Sequence, residues 1–408
     1  MGDLFWPGDE RAGDLASEVA WLAAMVRVEQ AWLDALARAG IAPGTVELTG
    51  LVGPDDLAEV AHVAEGAGNP VPALVALWRE RARGLGAAWV HRGLTSQDVI
   101  DTSLVLMLRD AAERVHRELH DQVTSLVVLT HAHQGTLIAG RTLTQHAVPT
   151  TFGAKTAGWL TGVLDVADSL ARIPLPAQFG GAAGTLAAVV ELARLRGVAD
   201  PVAVTTTVVA DAASALALRA APPWHTTRTT FTAIADALVT GTDAWGRIAT
   251  DVATLSRPEI GELLERAVDG RGGSSTMPHK RNPVLSVLIR RAALTAPALA
   301  STLHLAAALA GDERPDGAWH TEWPTVRELA RRAVVAASHT SELLRGLRVD
   351  DARMRGAARA AWQDLTAERR SIAAFVGKAP PDDDYLGAAD AVITAVLARA
   401  NAYLEARQ

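Results

Sequence analysis

Cysteine is absent from all 408 residues. That excludes disulfides, thiolate nucleophiles and cysteine-based zinc or iron–sulfur centres, and it agrees with a reducing, cytoplasmic setting. Aromatic residues are scarce: 4 % of the chain, with two tyrosines and five phenylalanines. A core must therefore be filled by Ala, Leu and Val, which favours helices packed closely on small side chains. No uninterrupted apolar run approaches the ~18 residues of a membrane span. Met1 to Trp6, followed by Pro7-Gly8, lack the basic and apolar regions of a secretion signal. An excess of positive charge is missing too, since 39 basic against 46 acidic residues leave a net −7. That balance points to neither nucleic acid nor an anionic membrane as a partner. An anionic substrate would need its positive field from a few local residues.

What is present is helical period. From Leu104 onward, apolar residues fall at Leu108, Ala111, Val115, Leu119, Val123 and Leu126, one stripe on a long helix. The pattern predicts further long helices from near Thr150 to before Pro174, from Pro283 to about Gly311 with a kink at Pro297, and from Thr325 to Leu344. Alternating patterns are rare. Val202 to Val209 has strand propensity but is read as helix because helices flank it. Lys378 to Tyr385, with two prolines and three aspartates, reads as a loop. Long striped helices bury their apolar faces only in a bundle. The expected organisation is all-α: an N-terminal helical domain over 1–103, a central long-helix bundle over 104–346 and a short C-terminal helical domain over 347–408.

Three blocks carry candidate chemistry. The first runs Gly272-Gly273-Ser274-Ser275-Thr276-Met277-Pro278-His279-Lys280-Arg281-Asn282-Pro283. It is a Gly-rich segment opening onto a helix, with Asn282 expected as the N-cap and Pro283 in the first turn. Free first-turn amides beside Lys280 and Arg281 would form an anion site, over which the two adjacent serines could close as a lid. The second block, His91 to Thr102, precedes the longest helix; Thr95 and Asp98 have capping-box spacing, with Asp in place of Glu or Gln. The third runs from Arg141 through Thr142, Leu143, Thr144, Gln145 and His146 to Gly153. His131 and His133 form His-x-His, but no partner lies at helix spacing, so neither a metal site nor a cofactor is expected.

The first block resembles, nearly residue for residue, the G-S-S-x-M-P-x-K-x-N signature of the fumarase/aspartase superfamily. The resemblance implies Ser274 as the proton-transfer residue, with Lys280 and Asn282 gripping a substrate carboxylate. The second resembles the H-x-G-x-T-S-x-D-x-x-D-T block of its adenylosuccinate lyase and carboxymuconate cycloisomerase branches. Thr95 and Ser96 then touch substrate carboxylates, and His91 is a binding or structural residue. The third resembles R-T-H-G-x-x-x-x-P-T-T-F-G of the adenylosuccinate lyases, except that Leu143 stands where they keep a general-acid histidine.

Leucine cannot donate a proton, and a purine amine is a poor leaving group without one. A carboxylate leaves as a stable anion, so lactone chemistry tolerates the loss. Arg141, Thr142 and Gln145 become substrate-binding candidates, and His146 a relay or structural residue. Pro223-Trp224-His225-Thr226-Thr227-Arg228, and Asp312-Glu313-Arg314 followed by Gly317 to Thr325, also resemble cycloisomerase segments. They add Arg228 and Arg314 to the binding candidates. The resemblance spans roughly residues 1 to 355.

It implies an intramolecular lyase that converts 3-carboxy-cis,cis-muconate to 4-carboxymuconolactone in the beta-ketoadipate pathway. It also implies a small polycarboxylate substrate and a homotetramer whose active sites draw one block from each of three copies. The alternatives are an adenylosuccinate lyase-like, fumarate-releasing enzyme and a non-catalytic structural member of the superfamily.

Overall fold

The computed structural model describes residues 3–268, 270–274 and 276–406. In chain order the helices are α1 Glu18–Arg38, α2 Leu57–Ala67, α3 Val71–Arg81, α4 Ser96–Ala132, α5 Phe152–Ala171, α6 Ala187–Leu195, α7 Pro201–Ala215, α8 Thr229–Leu255, α9 Val284–Ala308, α10 Gly317–Gly346, α11 Asp351–Ala360, α12 Trp362–Leu365, α13 Ala367–Val376 and α14 Ala389–Glu405. Among the described residues there are also two antiparallel strand pairs: β1 Leu137–Thr142 with β2 Gln145–Thr151, and β3 Leu263–Leu264 with β4 Arg348–Val349. The architecture is all-α, as the periodicity required.

The Val/Thr-rich stretch lies inside α7. Asp200 caps it by accepting from the Ala203 N–H at 3.0 Å. Thr205, Thr206 and Thr207 each donate to the carbonyl four residues back, so the hydroxyls are satisfied on the helix itself. α10 starts at Gly317, eight residues before the expected Thr325, and carries Pro324 within it. As the eighth residue this proline lies inside the helix, and its missing N–H leaves out the bond that would otherwise run to the His320 carbonyl.

The third sequence block contains the unexpected element. Residues 137–151 form a hairpin closed by Leu143 and Thr144, with φ of 48° and 72°. Two successive left-handed residues make the primed turn that suits twisted strands, but Asn or Gly usually supplies it. Leu-Thr gives no such signal. Gly140 permits the irregular register between Ala139 and Arg141, because a Cβ there would lie 2.4 Å from the Val148 carbonyl oxygen. α5 starts at Phe152, with the Thr151 hydroxyl accepting from the Ala154 N–H.

The chain packs as two compact units. One comprises 1–113, 172–236 and 297–332, the other 114–171, 237–296 and 333–408. In the first, Trp32 stacks on Phe179 at 5.1 Å and donates its indole N–H to the Arg92 carbonyl. In the second, α11 packs on β1, α12 on β2 and α14 on α5. Leu137 and Ala139 of the hairpin lie against Ala358 and Leu365. Trp245 donates to Gln122, which in turn donates to the Ala337 carbonyl, so both ends of the buried Gln122 amide are used.

α9 is the one helix among the described residues long and apolar enough to cross a bilayer by length and composition. It also contains Arg290, Arg291 and Pro297.

Candidate functional site

The first unit presents the start of α4. The buried Asp98 carboxylate accepts from the backbone N–H of Thr95, Gly180 and Gly181 at 2.9 to 3.0 Å, from Gln178 Nε2, and pairs with His225 Nε2 at 2.9 Å. One half of the expected capping box is therefore made. The other is not, because the Thr95 hydroxyl accepts from Arg314 Nη2 instead of from the helix. Arg314 also donates to the Ala182 carbonyl. Thr95 and Arg314, chosen from blocks 219 residues apart, thus meet at one place. Ser96 opens the helix beside them, half-buried. His91, at φ 62°, is tied to buried Glu29 through its backbone N–H and through Nδ1 at 2.5 Å.

Arg228 takes a different place from the one the motif suggested. Its side chain is fully buried, and all five N–H groups are spent within the chain: on Asp101 through both Nη atoms, on Glu322 through Nε and Nη2, and on the His225 carbonyl. No donor is left for a substrate carboxylate. Trp319 and Gln97 also donate to Asp101. Burial opposes the charge on Arg228, but Asp101 and Glu322 outweigh it and raise its pKa. Burial pushes the Glu322 carboxyl up against the opposing pull of Arg228, and the like charge of Asp101 adds to the rise. One cation shared by two buried carboxylates cannot compensate both fully. Arg228 is a packing residue.

In the second unit, Arg141 Nη1 and Nη2 make a two-pronged pair with buried Glu262 at 3.2 and 2.8 Å. This leaves Nε and one Nη2 hydrogen for another acceptor. Arg141, His146, Glu259, Glu262 and Arg353 line a cleft of about 480 Å³. Arg353 comes from α11, at the very end of the stretch that carried the resemblance. It was missed because no motif marks it; Gly261, at φ 62°, admits its guanidinium against the backbone. Thr142, Leu143, Gln145 and His146 stand exposed at the hairpin tip, with Leu143 at 96 %.

The Gly-rich loop lies in the same unit and closes on itself. Gly273 bridges Arg281, and the Asn282 N–H and Nδ2 both donate to the Gly272 carbonyl at 2.8 and 3.2 Å. Gly272 has φ 75°, and a Cβ there would sit 2.6 Å from the Asn282 carbonyl oxygen, so glycine is required at this neck. Just beyond it, Ser274 Oγ accepts from the backbone N–H of Met277 at 3.1 Å and of Thr276 at 3.4 Å. Two amides aimed at one hydroxyl oxygen favour negative charge on it. Lys280 is exposed and Asn282 half-buried; Ser275 lies outside the described residues.

The helix start differs from expectation. Val287 N–H bonds to the Pro283 carbonyl, which makes Pro283 the cap rather than Asn282. The first-turn amides are not free for a ligand either. Leu285 N–H, Ser286 N–H and Ser286 Oγ all donate to Glu265 at 2.7 to 3.1 Å. The chain's own carboxylate fills the anion position, so any grip on a substrate anion here comes from the Lys280 and Asn282 side chains. Glu265 lies some twenty residues upstream, outside the reach of any local capping rule.

A lyase family model matches residues 82–297, just over half of the chain. The nitrosuccinate lyase of Streptomyces davaonensis is 43 % identical over 374 residues, covering 89 % of this chain and 78 % of that protein. The 3-carboxy-cis,cis-muconate cycloisomerase of Pseudomonas aeruginosa is 40 % identical over 351 residues, covering 82 % and 72 %. Among solved structures, the 3-carboxy-cis,cis-muconate lactonizing enzyme of Pseudomonas putida superimposes with a TM-score of 0.78 at 29 % identity, covering 96 % of both chains. With the serine loop, the Thr-Ser helix start and the all-helical fold in place, the chain belongs to this lyase family, the fumarase/aspartase superfamily.

Proposed function

We propose that the protein is a 3-carboxy-cis,cis-muconate cycloisomerase. One substrate carboxylate adds to C4, C5 gains a proton, and charge builds on the carboxylate attached to C5 as an aci-carboxylate dianion. Lys280, Thr95 and Ser96 stabilise that dianion; each such donor is typically worth ~3 kcal/mol of barrier. Ser274 delivers the proton, or removes it in reverse. A free serine is too weak a base for the reverse step, and the Thr276 and Met277 amides are what let its oxygen carry charge.

The observation that carries the reading is Leu143. The hairpin tip presents an aliphatic side chain where an amine-releasing lyase needs an acid. The reaction then has to expel a group that is stable as an anion. A ring carboxylate qualifies, and so does nitrite, which gives nitrosuccinate elimination as the second reading, favoured by the 43 % identity to a nitrosuccinate lyase.

The test is an ultraviolet assay with both substrates in parallel. Loss of diene absorbance with lactone formed from 3-carboxymuconate supports the first reading. Fumarate and nitrite from nitrosuccinate alone support the second. Fumarate released from adenylosuccinate would overturn both.

The proposal extends to a homotetramer with shared sites. α9 exposes Val287, Leu294 and Leu305, while only 33 % of its most apolar window is buried within the chain. Unpaired apolar stripes of this kind suit association between copies. Inactive Ser274→Ala and Thr95→Ala proteins should then regain activity when unfolded and refolded together. Mixed tetramers without activity would dismiss sharing.

A further inference from the structure

We propose that Glu265 is the positioning residue of the Ser274 loop: its carboxylate clamps both ends of the loop together by capping α9. This rests on the reading of Ser274 as the proton-transfer residue. The loop leaves the fold at a fixed point. β3 pairs with β4 through Leu263–Val349 and Leu264–Arg348, and the Glu262 carbonyl accepts from the Asp350 N–H. Glu265 follows Leu264 directly, and its two oxygens take the Leu285 N–H, the Ser286 N–H and the buried Ser286 hydroxyl. Residues 266–284 therefore leave and return at one carboxylate. The neck at Gly272–Asn282 is a separate, inner tie.

Two ties in series divide the work. The inner one shapes the loop around Ser274, and the outer one sets where that shape points. A carboxylate suits the outer position because it meets the positive end of a helix with two amides and a hydroxyl. Removing it leaves the serine's local geometry intact but releases its aim, and misplacement of about 1 Å can cost about a hundredfold in rate.

The experiment compares wild type, Glu265→Ala and Glu265→Gln on whichever substrate the wild type turns over. Glu265→Ala should lose at least about tenfold in kcat, and Glu265→Gln, which keeps one acceptor oxygen, should lose less. Formate should restore kcat of Glu265→Ala in a saturable way, as a free carboxylate re-occupies the helix start, while wild type gains nothing. Amide exchange should quicken at Leu285 and Ser286 in Glu265→Ala but not at Asn282.

Wild-type kcat in Glu265→Ala, loss that formate cannot restore, or unchanged exchange at Leu285 and Ser286 would each overturn the proposal. If Glu265→Ala does not fold, Glu265→Gln takes its place: lowered kcat with quickened exchange at the same two amides supports the clamp, and no change in either overturns it. Failure of the functional reading is distinct: it shows as a wild type inactive on both substrates, and the exchange measurement still decides whether the clamp exists.

Discussion

At Ser274 a weak acid is asked to work as a base, and two backbone amides supply part of what that requires. Ser274→Ala removes the oxygen without touching the core. We expect kcat to fall by about 10² to 10⁴, the usual worth of a positioned proton-transfer group, with an unchanged melting temperature. Near-normal turnover would take Ser274 out of the mechanism. Arg228 is the opposite kind of residue. It holds two buried carboxylates, and Arg228→Met would strand both, at a cost of about 3–5 kcal/mol. A denaturant titration checks this; a midpoint close to wild type would mean the triad is replaceable by apolar packing.

Elements place these residues, and the hairpin shows how narrowly. Its turn uses two non-glycine residues in the left-handed region, and its register depends on Gly140. Gly140→Ala would drive a methyl into the Val148 carbonyl, which is backbone and cannot swing aside. We expect a loss of about 1–3 kcal/mol and a displaced Arg141–Glu262 pair, read from the urea midpoint and from raised KM. An unchanged midpoint would show that the strands separate freely. The hairpin was not legible in the chain because its turn, Leu143-Thr144, lacks Asn-Gly chemistry. The long helices were legible, since a repeating apolar stripe needs no knowledge of the partner. α7 was legible only through its neighbours, as its Val/Thr content argues for strand and its hydroxyl back-bonds cannot be seen in one dimension.

For the whole molecule, part of the loss of stability in mild acid is assigned to His133, the second histidine of the His-x-His pair. Burial lowers the pKa of His133 below the usual 6.5, with a smaller opposing pull from Asp351; its ring lies edge-on to Phe152 at 5.3 Å. The folded state therefore binds this proton less readily than the unfolded chain. The stability contribution is complete above pH 6.5 and is lost as pH falls below that value towards the lowered folded-state pKa. Melting temperatures measured from pH 8 to 5 should drop below pH 6.5, and His133→Gln should flatten part of that slope. Equal slopes in the two proteins would assign the effect elsewhere.

The line of residues alone determined the helical class, the family and the serine, Thr-Ser and Arg-Thr blocks, because each rests on a local period or a contiguous pattern. Tertiary structure decided what those residues are free to do. It spent every donor of Arg228 on Asp101, Glu322 and a carbonyl, gave the Thr95 hydroxyl to Arg314, and filled the α9 start with Glu265. A hydrogen bond between residues twenty to two hundred positions apart has no local signature, so whether a charged group is spent or available emerges only when the chain folds back on itself.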